Sequence, residues 1–283
     1  MIILQTILSI SSMVLQNCIF NGVGKKELRT TNHIYRFNMI MYAMCILLFG
    51  IALINGHISL FTLLLGLLFG VITALANMYK MGSLAEGPMH ITLLITTSSM
   101  IIPTLSGVFF GEKFSVPKLL VVFVLIFFIY LSLDKSGENK FSKKWLIYCI
   151  LAFIFMGAIG VLQKIHQTSE YKDELNGFLF VAFICSLIYS RIRSKKSFKE
   201  LQFTKKHVML GIVCGVCTYV MNMLNLKLSG LLPAQLFFPL VNGSAIVLSS
   251  LMSVVLFKEK LTKKQFIGLC GGILSLIAIC LVK

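Results

Sequence analysis

The sequence predicts an all-α polytopic membrane protein with ten transmembrane helices arranged as two inverted five-helix repeats. Three observations predict it. Charged residues make up 13% of the 283 positions, against about a quarter in soluble domains, and mean hydropathy is +0.91. Apolar residues come in runs of roughly 17–25, the length that crosses ~30 Å of hydrocarbon. Similar short strings also recur at a nearly constant separation along the chain.

The runs place spans at 2–20, 34–54, 59–79, 87–110, 118–134, 144–164, 176–192, 207–226, 231–257 and 264–282. Helices and closed barrels alone satisfy their backbone in lipid, and the two-residue alternation of barrel strands is missing. The class is therefore all-α. The N-terminus lacks a basic region and a small-residue cleavage site, so the first span is expected to stay in the mature protein. The eight cysteines lie in or at the edges of apolar runs. There Cys214-Gly-Val-Cys217 reads as small packing residues rather than a redox or zinc motif, since both uses need an accessible thiolate. The net charge of +16 sits in short loops between spans, where it meets lipid headgroups, so the bilayer and not nucleic acid is the expected partner.

The repeat is the most informative feature. Val14-Leu15-Gln16 recurs as Val161-Leu162-Gln163, Gly66 and Gly70 as Gly211 and Gly215, and Asn77-Met78 as Asn222-Met223. Pro88 recurs as Pro233, and Glu112 as Glu259. The unit covers five helices, which divides the chain into residues 1–140 and 141–283. An odd number of spans per unit makes the second copy enter from the opposite side. Secondary transporters recurrently use this inverted arrangement, with a site near the midplane between the halves. Of the 26 Lys and Arg residues, 20 fall in loops on one side if the N-terminus faces out, so the charge bias puts both termini outside the plasma (inner) membrane.

The run from Asn77 to Ser115, with Pro88, Pro103 and the ending Phe110-Gly111-Glu112-Lys113-Phe114-Ser115, resembles the fourth-helix signature of the drug/metabolite transporter superfamily, EamA-like branch. Leu256-Phe257-Lys258-Glu259-Lys260-Leu261, with Gln265 to Gly268 and Gly271-Gly272, resembles the ninth and tenth helices. The resemblance implies a ten-span duplicated carrier of a small solute. Amino acids, nucleotide sugars, sugar phosphates, amines and choline are among the family's substrates. Many members of this branch look N-in, with a basic loop after the second helix. Here Asn55 to Ile58 holds no Lys or Arg, and the charge bias still points to N-out.

Intramembrane polar groups need a reason, because each charge costs roughly 2.5–3.5 kcal/mol on insertion scales. No Asp or Glu lies mid-span. The first helix of each copy carries Gln16 or Gln163, which can hydrogen-bond a solute but cannot titrate. Two residues past the repeated prolines come His90 and Gln235, and seven further on come Thr97 and Asn242. Seven residues is nearly two turns, so each pair is expected on one helix face. His90, Thr97, Gln235, Asn242, Gln16, Gln163, Asn77 and Asn222 are thus the candidate substrate-binding residues. Interhelical hydrogen bonds, about 0.6 kcal/mol each, are the plainer role for the same side chains. Of these, His90 alone titrates near neutral pH. Pro88, Pro233, Gly66, Gly70, Gly211 and Gly215 are expected to act in hinges and close packing, and Glu112 and Glu259 in loop ion pairs or caps. Lys80 and Lys164, near span ends, are expected to snorkel to the headgroups.

The function expected is secondary active transport or exchange of a small polar metabolite by alternating access, two five-helix bundles rocking about a central site. A flippase for a lipid-linked sugar or headgroup is the alternative. No phosphate-binding loop suggests direct use of ATP, and neither an enzyme, a cofactor nor a metal is expected. The chain is expected to work as a monomer or a homodimer.

Overall fold

The computed structural model describes residues 1–24, 31–54, 56–86, 92, 95–96, 98–113, 115–132, 142–194, 204–257 and 262–282, and these contain helices and no strand. The long helices are α1 (Ile2–Gly24), α2 (Thr31–Ala52) and α3 (Leu60–Glu86). A short α4 (Ile101–Ser106) runs into a 3-10 turn (Gly107–Phe110) and is followed by α5 (Val116–Ser132). The second half has α6 (Lys143–Thr168), α7 (Leu175–Arg193) and α8 (Lys205–Leu231). Then α9 (Ala234–Phe238) continues through a π-helical turn (Pro239–Gly243) into α10 (Ser244–Phe257), and α11 (Lys263–Leu281) ends the chain.

Among the described residues six helices are long and apolar enough to cross a membrane: α1, α2, α3, α6, α7 with its preceding turn, and α8. Four shorter apolar helices occupy the fourth, fifth, ninth and tenth predicted spans. The ninth is shortened at its start by Pro233, whose extended ψ of 141° makes it a cap, so helix begins at Ala234. In the opposite sense, α3 runs on to Glu86 and α8 to Leu231, beyond the predicted ends at 79 and 226.

Burial is arranged for lipid. On α1, Ile3 and Leu4 are exposed whereas Ser9, Ser12 and Gln16 are buried. On α3, Leu64 and Leu68 face outward, and Gly66, Phe69, Gly70 and Thr73 face the interior. Apolar outside with small and polar inside is the pattern of a helix solvated by hydrocarbon. The protein is a multi-pass membrane protein.

Two apolar clusters hold the helices together. One joins Phe37 and Phe49 of α2, Phe69 of α3, Phe178 and Phe183 of α7 and Leu226 of α8, with Phe49 stacked on Phe183 at 5.7 Å between ring centres. The other joins Leu125 and Ile129 of α5, Phe237 and Phe238 of α9, Ala245 of α10 and Leu276 of α11. Each cluster draws on both halves of the sequence. The halves interleave instead of forming separate five-helix cores, so packing units and repeat units differ.

Close approaches use the repeated glycines. A Cβ on Gly70 would stand 2.3 Å from Ala182 O on α7, and one on Gly66 3.0 Å from Phe178 O. On α8, Gly211 sits against Ile40 and Gly215 against Met41 O and Met44 of α2. Thus α3 packs on α6 and α7, α8 on α1 and α2, and α2 on α7, while α5 packs on α11, α4 on α9 and α6, and α1 on α10.

Candidate functional site

A cavity of about 130 Å³ lies between the two clusters. Pockets for drug-sized ligands are larger, roughly 300–1,000 Å³, so this volume suits a small metabolite. Four helices line it with one face each: Met13, Gln16 and Asn17 of α1; Thr73, Ala76, Asn77 and Lys80 of α3; Met156, Ile159, Gly160 and Gln163 of α6; Thr218, Met221, Asn222 and Asn225 of α8. The spacings of three and four residues put each set on a single stripe. Ser99, Met100 and Pro103, with Phe237, Phe238 and Asn242, complete the wall.

Carboxamides dominate its polar chemistry, and they are hydrogen-bonded into the wall. Gln16 Nε2 donates to Thr218 Oγ1 at 2.6 Å, which ties α1 to α8. Thr218 donates in turn to Cys214 O at 2.7 Å, and Asn222 Nδ2 to Thr218 O at 2.9 Å. Asn77 Nδ2 donates to the Tyr42 hydroxyl at 2.8 Å, and Asn242 Nδ2 to Phe238 O at 3.0 Å. Ser9 donates to Asn225 Oδ1. Asn17 links three helices: its Nδ2 reaches Ser249 Oγ at 3.3 Å, and its Oδ1 accepts from Lys80 Nζ at 3.3 Å. A carboxamide carries both donors and an acceptor, so such a wall suits neutral polar groups, hydroxyls above all.

Of the residues singled out from sequence, Gln16, Asn77, Gln163, Asn222 and Asn242 line this cavity. Gln235 does not. It is buried beside the α4–α5 connection, where its Oε1 accepts from Ser115 N at 3.0 Å. The seven-residue spacing from Gln235 to Asn242 does not place both on this cavity, because the helix passes into the π-helical turn Pro239–Gly243, which contains Asn242. A π turn adds a residue to the helical count and rotates the next stretch of helix about its axis. Pro88, His90, Thr97 and Glu259 lie outside the described residues.

Sequence reasoning passes over Lys80, Asn17, Thr73, Thr218 and Asn225 as site residues. For Lys80 it expects snorkelling from a span that ends at 79. With α3 continuing to Glu86, Lys80 lies inside the helix one turn beyond Asn77. The available signal is the repeat: Thr73, Asn77 and Lys80 stand opposite Thr218, Asn222 and Asn225 at a constant separation.

At one end of the cavity lies a latch between the halves. The chain turns at Gly111 (φ 73°), a left-handed conformation that favours glycine, and this turn presents Glu112. The Glu112 carboxylate forms an ion pair with Lys164 Nζ, whose side chain is 5% exposed. Lys164 also donates to Ser229 O at 2.8 Å and Leu232 O at 3.3 Å. Glu112 Oε2 accepts from Ala234 N at 2.6 Å. One ion pair thereby satisfies orphan carbonyls at the end of α8 and an orphan N–H at the start of α9, each charge placed against the favourable helix dipole. Glu112 pairs across to Lys164, which is buried instead of snorkelling. On the same end, Glu174 accepts from Ser59 N and Oγ at 2.8 Å each, fastening the α2–α3 connection to the turn before α7. The opposite end has the Trp145 indole donating to Thr92 Oγ1 at 2.8 Å, and an exposed Lys144–Glu86 pair.

The helices surround a small polar cavity bridged by interhelical ties, and the matches that follow indicate a membrane transporter of small solutes. Residues 143–281 match the model of the EamA-like transporter family. Over 272 residues the chain is 24% identical to the glucose uptake protein GlcU of Staphylococcus xylosus, covering 94% of this chain and 90% of that protein. A solved crystal structure shares the fold, with a TM-score of 0.72 over 99% of each chain at 13% identity.

Proposed function

We propose that the protein is a secondary active transporter or exchanger that carries a small polar metabolite through the amide-lined cavity by alternating access. The observation that carries this reading is the composition of the wall. Gln16 and Gln163, Thr73 and Thr218, Ala76 and Met221, Asn77 and Asn222, and Lys80 and Asn225 are repeat-equivalent pairs, and all ten residues line one cavity. Two inverted copies meeting at a midplane site predict such a wall.

The packing supports the inverted ten-span arrangement. Exchanging each helix for its repeat partner turns α1 on α8 into α6 on α3, and α2 on α8 into α7 on α3. The pair α4 on α6 becomes α10 on α1, while α2 on α7 and α5 on α11 map onto themselves. Because the apolar clusters mix both halves, the moving bodies are the two clusters, with α1 and α6 between them. The Glu112–Lys164 latch closes one end, which the Lys and Arg bias makes the outer one. Solute reaches the cavity from the cytoplasmic side in this state, and release of the latch opens the other.

The resemblance to a glucose uptake protein and the carboxamide wall, with Phe237 and Phe238 beside it, agree on a hydroxylated solute. Proteoliposomes holding the purified protein should exchange a labelled solute from a panel that includes glucose, without ATP. Absence of exchange across the panel, with scrambling of a fluorescent lipid analogue in the same vesicles, would replace the carrier by a flippase.

A further inference from the structure

We propose that the transported solute carries an oxyanion, a carboxylate or a phosphate, and that Lys80 is its counter-charge; this deepens the carrier reading and rests on it. The two lysines of the cavity region, Lys164 buried and Lys80 half-buried, are treated differently. Lys164 has a carboxylate, Glu112, and two carbonyls. Lys80 has the neutral Asn17 Oδ1 at 3.3 Å and the Phe20 ring with its centre at 5.9 Å. Among the described residues the acids are engaged or placed elsewhere. Glu112 binds Lys164, Glu86 pairs with Lys144, Glu174 holds Ser59, and Glu170 and Asp173 are exposed on the α6–α7 connection.

An ammonium within the bilayer is costly unless paired. A neutral amide at 3.3 Å and a ring face offset part of that cost, and among the described residues no carboxylate pairs with the charge. A ligand oxyanion in the cavity completes the pair, while Asn77, one turn away, and Gln16 meet its neutral polar body. The same lysine disfavours a cationic solute, and no described carboxylate lines the wall to attract one. An amine carrier would need the reverse arrangement.

The test uses three probes of similar size on the full chain in proteoliposomes: glucose, gluconate and glucose 6-phosphate. Each competes with the others for exchange, and each is also scored by the shift it causes in thermal unfolding of the detergent-solubilised protein. At least one anion should outcompete glucose by about 30-fold, the lower end of what one partner of a buried charge pair contributes. Lys80→Met should remove that preference and Lys80→Arg retain part of it. Which arm responds separates carboxylate from phosphate. Glucose exchanged as well as both anions by the wild type overturns the inference, needs no variant and leaves the carrier reading standing. Lys80-dependent stabilisation by an anion with no exchange of any probe supports Lys80 as the counter-charge of a bound oxyanion and sinks the carrier reading, and with it the claim that this anion is transported.

Discussion

The two interior lysines fall at non-equivalent positions of the sequence repeat, and their surroundings differ in what answers the charge. Lys164 aligns with Asn17, and Lys80 with Asn225. Each copy therefore has one lysine and one asparagine at this pair of positions, with the roles exchanged. The lysine on α6 is locked by Glu112 into a structural tie across the end of the molecule. The lysine on α3 faces the cavity with an amide for company. One charge is satisfied within the fold, and the other is left for a ligand to satisfy.

The largest effect that could break this contrast is at the latch. Lys164→Met leaves the half-buried Glu112 carboxylate with Ala234 N as its partner, and the cost should approach the about 3–5 kcal/mol of removing one member of a buried pair. Thermal unfolding in detergent should show a large drop for Lys164→Met, partly restored when Glu112→Gln is added. Equal effects of the single and double variants would show that the two groups are not coupled. Lys80→Met should lack this penalty and raise or leave unchanged the unfolding temperature, since it removes a charge that no described carboxylate pairs with.

Next come the repeated glycines. Gly70→Ala forces a Cβ to 2.3 Å from the backbone of α7, whereas at Gly211 the obstacle is the Ile40 side chain, met first at 2.8 Å. Overpacking costs about 1–3 kcal/mol, and Gly70→Ala should fall in that range with Gly211→Ala below it. A reversed order in unfolding temperature would contradict the α3–α7 geometry. Within the cavity, Asn222→Ala should lower exchange about tenfold, equivalent to ~1.4 kcal/mol of binding, with a small change in stability. Gln235→Ala should do the opposite, affecting stability and leaving the apparent affinity for solute in place. The smallest effect is expected at the exposed Lys144–Glu86 pair, where Lys144→Ala should cost below about 1 kcal/mol.

The apolar spans and five of the eleven polar residues of the cavity wall are legible in the sequence, the latter because polar residues recur at a nearly constant separation. Gln16 with Gln163 and Asn77 with Asn222 stand out as repeated polar residues in apolar runs, and all four line the cavity. Lys80 does not, because hydropathy ends the third span at the first charge, whereas the helix continues to Glu86. Gln235 is misplaced by counting ideal turns through Pro239–Gly243, and a π turn leaves no mark in residue spacing. The Glu112–Lys164 tie joins residues far apart in the chain and in different copies. Tertiary packing alone brings them together.

The central claim, that the repeat-lined cavity is the solute path, is tested most directly by accessibility at Asn77. Asn77→Cys is placed in a chain whose eight native cysteines are replaced by serine or alanine, and a membrane-impermeant thiol reagent is applied from each side. A solute path through the cavity predicts labelling from the cytoplasmic side, slowed in proportion to the concentration of an exchanged solute. Labelling that no exchanged solute slows, or inaccessibility from both sides while exchange proceeds, would contradict it.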